Sequence, residues 1–446
     1  MNIAKKRFLL LGMLLGIGFL TMAQQVGSNS PYGRYGYGLL SSPSMGASEA
    51  MGGISYGIRR SQQVNPMNPA SYSKLDSLTF IFDFGISGQM ARFGDGNQKH
   101  DYYNGNLDYA AIQFPLFRKM GASIGLLPFS KVGYNYGRTR SLSDIIYQEA
   151  YRGSGGLNQI YAGLAYEPVK YLSVGANVSY LFGNFYYSNV ITPLTSSGAL
   201  IGEERSNYSI RDIKYDFGAQ FIYPVDKESQ MVVGAVYSPK ISAKSDLAIS
   251  NKLYTTDPNS VNQPERYLAQ VLRDDTLSSQ SFELPHTFGL GFTYSNRNFL
   301  LGLDGTLQQW KGIAYSSELD GLNDDTRFNN TYKISAGGEY VIDPYSRDFW
   351  SRLRMRAGVS YANSYTNINV QDAQPNSPAG FNEYSFNLGF GIPFRDNVSG
   401  KQSMLNVGFG YIMQRPEREN MIKQDLFKIS VNMNVNELWF FKRQFN

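Results

Sequence analysis

The chain has no cysteine in 446 residues, only two histidines, and after its first 25 residues no apolar run long enough for a membrane-crossing helix. Without cysteine there is no disulfide framework, no thiolate metal site and no N-terminal cysteine to carry lipid. Two histidines, His100 and His286, cannot build a multi-histidine metal centre, and any Ser-His-Asp set has to use one of them. Charge is scarce too. Asp, Glu, Lys and Arg make up 17% of the chain, below the roughly 25% of ordinary soluble domains.

What is abundant is aromatic and small: 33 Tyr, 28 Phe and 45 Gly. The first 23 residues read as a secretory signal, with Lys5, Lys6 and Arg7 before an apolar stretch from Phe8 to Leu20 and a cut after Ala23. Its removal takes Lys+Arg from 41 to 38 against 36 Asp+Glu, a net of +2. That balance gives no reason to expect nucleic acid as a partner. Residues 24–76 are rich in Gly, Ser, Pro and Asn, with Tyr32, Tyr35 and Tyr37 set between Gly33, Gly36 and Gly38. Glycine lets backbone pack closely and tyrosine fills space with a polar tip, as a plug in a wet lumen requires.

From residue 77 the period becomes 2. Phe80, Phe82, Phe84 and Ile86 point one way. Asp83, Gly85 and Ser87 point the other. The same alternation returns in Tyr215–Tyr223, Phe299–Leu303, Leu405–Tyr411 and Phe427–Val435. About fourteen such segments, from 77–90 to 425–440, are near the length a tilted strand needs to span a bilayer. Connections alternate short and long. Turns near 118–120, 167–170, 224–229 and 295–297 are brief, whereas 91–106, 138–156, 190–207, 248–280 and 313–329 are long. Short periplasmic turns and long outer loops characterise outer-membrane barrels. The expectation is an all-β transmembrane antiparallel barrel over 77–446 with a plug at 24–76 and both termini periplasmic. About eight strands can be filled by side chains, but fourteen enclose a lumen too wide for that, which gives a plug its purpose.

Asn65-Pro66-Met67-Asn68-Pro69-Ala70-Ser71-Tyr72 is the joint between the two parts, since neither proline can donate to a ladder. The triplet Asn68-Pro69-Ala70, after Met51-Gly52-Gly53-Ile54 and just before the first strand, resembles the hatch of the OmpP1/FadL/TodX outer-membrane transport proteins. That resemblance implies a fourteen-stranded barrel plugged by the hatch. It also implies a kinked third strand that opens the wall towards lipid, and apolar outer loops that first capture a hydrophobic ligand. Pro128, with Phe129 and Ser130, is the mid-strand proline placed to make such a gap. Pro115 in strand two is a neighbouring candidate. Tyr267, Leu268, Val271 and Leu272, spaced as on one face of a short helix within 264–272, are the candidates for the outer groove, and the apolar stretch 191–201 is a further one.

Two functions fit. The first is uptake of small hydrophobic compounds, fatty-acid-like or aromatic, by plug movement and lateral release. The second is a structural or partner-binding barrel subunit of an outer-membrane assembly or secretion machine. The inward positions that can be read are Gly, Ser, Asp, Asn and Lys, which weighs against an apolar conduit. Neither function needs a cofactor or metal. The loop acid pairs Asp274-Asp275 and Asp324-Asp325 read as solvated charge. No local pattern marks an outer-membrane hydrolase. Membrane lipid is a partner in both readings, joined by a hydrophobic ligand in the first and by outer-membrane proteins in the second. N-terminal sequencing of protein recovered from outer membranes should begin at Gln24; an intact Met1 would remove the secretory reading.

Overall fold

A lipid-facing wall requires every backbone donor and acceptor to pair within it, and the alternating segments meet this by closing on themselves. The computed structural model describes residues 30–438, apart from internal stretches at 77–78, 95–98, 143, 196–197, 257–265, 317–323, 370–377, 396–400 and 420. The expected signal and the first six residues of the expected plug lie outside the described residues, as do Trp439, Phe440 and Phe441.

The wall has fourteen antiparallel strands: β1 (Thr79–Gly94), β2 (Lys99–Phe117), β3 (Met120–Leu142), β4 (Ile145–Val169), β5 (Leu172–Pro193), β6 (Ile201–Pro224), β7 (Gln230–Ser238 and Ile241–Thr256), β8 (Arg266–Leu284 and Thr287–Ser295), β9 (Phe299–Gln308), β10 (Thr331–Val341), β11 (Arg354–Asn363), β12 (Phe381–Arg395), β13 (Gln402–Pro416) and β14 (Lys423–Leu438). β14 pairs with β1 from Lys423↔Gly94 to Leu438↔Thr79 and closes the barrel. β7 and β8 are each written in two parts because Pro239 and Pro285 remove ladder donors at neighbouring places. His286 stitches the two breaks together: its Nδ1 accepts from the Lys240 amide at 3.1 Å and sits 3.1 Å from the Tyr237 hydroxyl.

Alternation sorts the side chains as the sequence predicts. Phe217, Phe221, Leu301, Leu303, Phe409 and Ile429 are exposed on the outer face, while Gln220, Asp304 and Asn432 beside them are buried. The outer apolar belt belongs to lipid. No helix among the described residues is long and apolar enough to cross a membrane.

Strand lengths differ from expectation. Most of 91–106, 138–156, 190–207 and 248–280 is strand, not loop. Beyond the lipid band both faces meet water, so the period-2 signal fades while the ladder goes on. The helix expected over 264–272 is strand from Arg266, paired antiparallel with the second part of β7 through register shifts after Leu268 and Val271. A helix of that length is marginal in water, whereas the hairpin pairs one edge of this segment with β7. The result is a lopsided wall. β3 to β6 run 22–25 residues, against 10 or 11 for β9 to β11.

Phe217 and Val431 each lie seven residues from the short-turn end of their strand, roughly 15 Å into the bilayer for a strand tilted by about 45°. Phe217→Arg or Val431→Arg should therefore cost about 2–4 kcal/mol in refolding into lipid. Phe217→Leu should cost under about 1.5 kcal/mol. Equal losses would show that this face does not meet lipid.

Candidate functional site

Residues 30–76 contribute nothing to the closed ladder beyond two residues, and they lie among the inward side chains of strands all round the barrel. Asn68 begins a 3-10 turn, Pro69–Lys74, with Pro69 at its first position, where a missing amide costs nothing. The Asn68 Oδ1 accepts from the Ala70 amide at 3.2 Å. Its Nδ2 donates to Tyr56 O at 2.8 Å and to Ala219 O on β6 at 3.2 Å. Ser173 Oγ on β5 donates to Ala70 O at 2.7 Å, and Asn177 Nδ2 donates to Pro66 O at 3.0 Å. Asn68, Ala70 and Tyr72 are fully buried. Thus the expected joint motif is a docking point between segment and wall.

Wall side chains serve the segment's backbone elsewhere too. Asp304 Oδ2 on β9 accepts from the amides of Ser55 and Tyr56 at 2.5 and 2.9 Å, and Gln220 Nε2 donates to Tyr56 O and Ile58 O at 3.0 Å each. Charges clamp it further. Arg60 of the segment joins Arg354 and Arg356 on the buried Glu339 carboxylate. Glu49 pairs with Lys428, which also meets Asp108. Losing one member of such a buried group costs about 3–5 kcal/mol.

The segment also needs room. A Cβ at Gly234 would lie 1.8 Å from Tyr56 O, at Gly175 2.6 Å from Pro69 C, at Gly121 2.1 Å from Tyr72 O, and at Gly358 2.1 Å from Met51 C. Four strands thus carry glycine where segment backbone touches the wall.

Towards the long-loop rim the bore is filled by rings. Tyr37 sits among Phe282, Trp310 and Tyr315, and Tyr208, Tyr187 and Phe328 belong to the same cluster. Gly36 O accepts from the hydroxyls of Tyr187 and Tyr315 at 2.9 and 2.5 Å; Tyr365 donates to Gly38 O at 2.5 Å. Burial raises the Tyr37 phenol well above its ordinary value, so it stays protonated and donates to Glu283 O at 2.9 Å.

One place in the wall is different. β2 and β3 pair only from Phe117↔Met120 up to Ala110↔Leu126. Above that β2 keeps β1 and β3 keeps β4, but the two no longer meet. The β3–β4 register slips between Pro128 and Ser130, leaving Phe129 as a bulge. Leu39–Leu40 of the segment pairs antiparallel with Lys131 and Ser130 here, and the Ser41 amide donates to Phe129 O at 2.9 Å. Ser42, next along, is exposed. The structure therefore gathers Pro128, Phe129 and Ser130 at one interruption of the ladder, covered from inside by a two-residue strand. Pro115 lies at the other end of the same short ladder, facing Gly121.

Tyr267, Leu268, Val271 and Leu272 are all exposed on strand β8, so helical spacing gathers them onto no common face. Asp274 and Asp275 pair with Lys252 and Arg273. The side chains of Asp324 and Asp325 lie outside the description. At the long-loop rim a recess of about 290 Å³ is lined by Asn135, Gln148, Arg152, Thr192 and Arg266 among others, and one of about 590 Å³ by Lys311, Asn329, Asn363, Asn367 and Glu417 among others. Both are open and polar.

The sequence matches the BamG family over residues 4–446. The chain belongs to the BamG family. No curated protein matches it. Solved structures of the same fold include the CymD monoaromatic hydrocarbon channel, 15% identical, with 90% of this chain and 98% of that one covered at a TM-score of 0.53. The Pseudomonas putida toluene transporter TodX is 16% identical, with 91% and 100% covered at 0.54. A Pseudomonas aeruginosa FadL homologue is 13% identical, with 90% and 98% covered at 0.51. The resemblance to OmpP1/FadL/TodX transport proteins thus holds for the fold, and this BamG-family chain is a barrel of the outer-membrane type.

Gly358→Ala should displace Met51 and Gly52 at a cost of about 1–3 kcal/mol. Limited proteolysis should then cut within residues 44–60 while the barrel still shifts on heating in a detergent gel. Gly305→Ala, where an added Cβ meets nothing within 4 Å, should behave as the parent. Matching protection in the two variants would show that segment and wall are not in this contact.

Proposed function

We propose that this barrel keeps the fold of a hydrophobic-compound channel with its bore closed, and works as a structural, partner-binding subunit of an outer-membrane assembly or secretion machine. The observation that carries this reading is the filling of the bore at two levels. The N-terminal segment acts as a plug whose carbonyls and amides are bonded by wall side chains, and above it lies a cluster of buried rings tied to Gly36 and Gly38. Rim recesses lined by Asn, Arg and Lys offer no apolar site for first capture. In the orientation we propose, the short turns and both termini face the periplasm, and the long-strand side faces out.

A specific observation favours the other reading, uptake of fatty-acid-like or aromatic compounds by plug movement and lateral release. Above Ala110–Leu126 the β2–β3 ladder stops, and Leu39–Leu40 pairs with β3 beside the interruption. Unpairing those two residues from β3 would open the wall sideways, and relatives in fold are named as monoaromatic hydrocarbon and toluene transporters.

A tether separates the two. Leu40 and Ser130 are directly opposed across the β-pair, at a Cα separation of roughly 4.5–5.5 Å that suits a disulfide. The chain offers no other cysteine. In the oxidised Leu40→Cys/Ser130→Cys variant, a scaffold should co-purify with the same stoichiometric set of outer-membrane proteins as the parent, and uptake of a toluene tracer should be unchanged. Loss of tracer uptake that a reductant restores, or a lipid-like ligand found by mass spectrometry in place of protein partners, would transfer the conclusion to the channel.

A further inference from the structure

The turn between β10 and β11 is unlike its neighbours. It takes residues 342–353, whereas the other fully described turns on that rim take two to five. It is also built. A one-turn helix, Phe349–Arg352, is capped by Asp348, whose Oδ2 accepts from the Ser351 amide at 2.9 Å and from its hydroxyl at 3.0 Å. Asp343 Oδ1 accepts from the Tyr345 amide and from Arg297 Nη2, both at 3.0 Å, and the Asp343 amide returns a bond to Ser351 O at 2.8 Å. Arg297 comes from the adjacent β8–β9 turn and lies 5.1 Å from the Tyr345 ring centre. Asn298, beside it, donates to Val341 O and Ile342 O.

This scaffold presents large apolar groups outward. Ile342, Tyr345, Phe349 and Trp350 are exposed by 51, 80, 41 and 69%. Phe349 and Trp350 pack edge to face with centres 5.4 Å apart. Single exposed apolar residues are ordinary, but a contiguous set on an ordered turn marks a contact surface. The set continues the lipid-facing belt: Phe299 and Tyr340, both exposed, pack together at 4.8 Å, and Ile342 follows Tyr340 on the same face. Charge points the same way. Both acidic groups of the turn are engaged within it or by Arg297, while Arg347 is exposed and has no ion pair among the described residues. Arg352 Nε donates to the Asp348 carbonyl at 3.4 Å, and among the described residues Arg352 has no ion pair.

We propose that this turn is a foot that seats on the lipid surface at the short-turn rim, with Tyr345, Phe349 and Trp350 in the interfacial layer and Arg347 and Arg352 on phosphates of anionic phospholipid. Trp and Tyr favour that layer because one end is apolar and the other wet, and arginine reaches phosphate with its stem still in contact with acyl chains. In the orientation proposed above the foot rests on the periplasmic leaflet. The inference stands whether the bore conducts or not.

The test uses the whole chain in vesicles of phosphatidylethanolamine and phosphatidylglycerol, with acyl chains brominated near the headgroup or left plain. Trp350 is one of three tryptophans, so its emission is read as the difference between parent and Trp350→Phe. Brominated lipid should lower that difference about twofold, and aqueous iodide should leave it nearly intact. Arg347→Glu/Arg352→Glu should restore most of the lost emission. If iodide quenches Trp350 and brominated lipid does not, the foot stands in water as a protein-docking surface and the lipid assignment is overturned. Unchanged quenching in the double arginine variant would overturn the phosphate contacts.

Discussion

The interior depends on one constraint. Apart from Leu39–Leu40, backbone groups in residues 36–72 have no ladder, and inside a closed barrel water cannot freely serve them. The wall answers with side chains. Asp304, Gln220, Asn177 and Ser173 are inward residues of three strands, and each bonds segment backbone. Above them tyrosine hydroxyls do the same for Gly36 and Gly38. Polarity of the inner face follows from this need. An apolar conduit lining could not hold such a segment, and this segment could not stay without that lining.

Proline shapes the wall in two different ways. In β7 and β8, Pro239 and Pro285 fall side by side, and His286 bridges the breaks, so the wall remains continuous. At Pro128 a bulge coincides with the place where β2 and β3 part, and the cover comes from inside. The same residue type therefore gives a mended seam in one quarter and a covered interruption of the ladder in another. What differs is whether a neighbouring strand is there to share the disruption.

Much of this was legible in the residues. Alternation gave the number of strands and their faces because lipid and lumen impose opposite demands on successive side chains. Asn68-Pro69-Ala70 could be placed as a junction because proline excludes ladder pairing, and Pro128 because it sits within an alternating run. The outer strand extensions were not legible. Residues 99–106 and 266–280 are solvated on both faces, so their alternation carries no information, and the spacing of Tyr267, Leu268, Val271 and Leu272 imitated a helix. The glycines at 175, 218, 234 and 358 did leave a signal. They fall on inward positions, and inward glycine with no turn beside it marks close backbone approach. The turn at 342–353 was not legible because part of its order arises from Arg297 and Asn298 of another turn.

The unequal heights of the wall have a consequence in the plane of the membrane. At about 3.3 Å per residue, β4 is some 80 Å long and β9 some 33 Å. The molecule is therefore no plain cylinder. It has a high back and a low front, and its approach to anything in the outer leaflet depends on its rotation about the membrane normal. A neighbour that grips the short-turn rim at one point thereby also sets which way the high side faces, so a contact below the bilayer fixes a compass bearing above it.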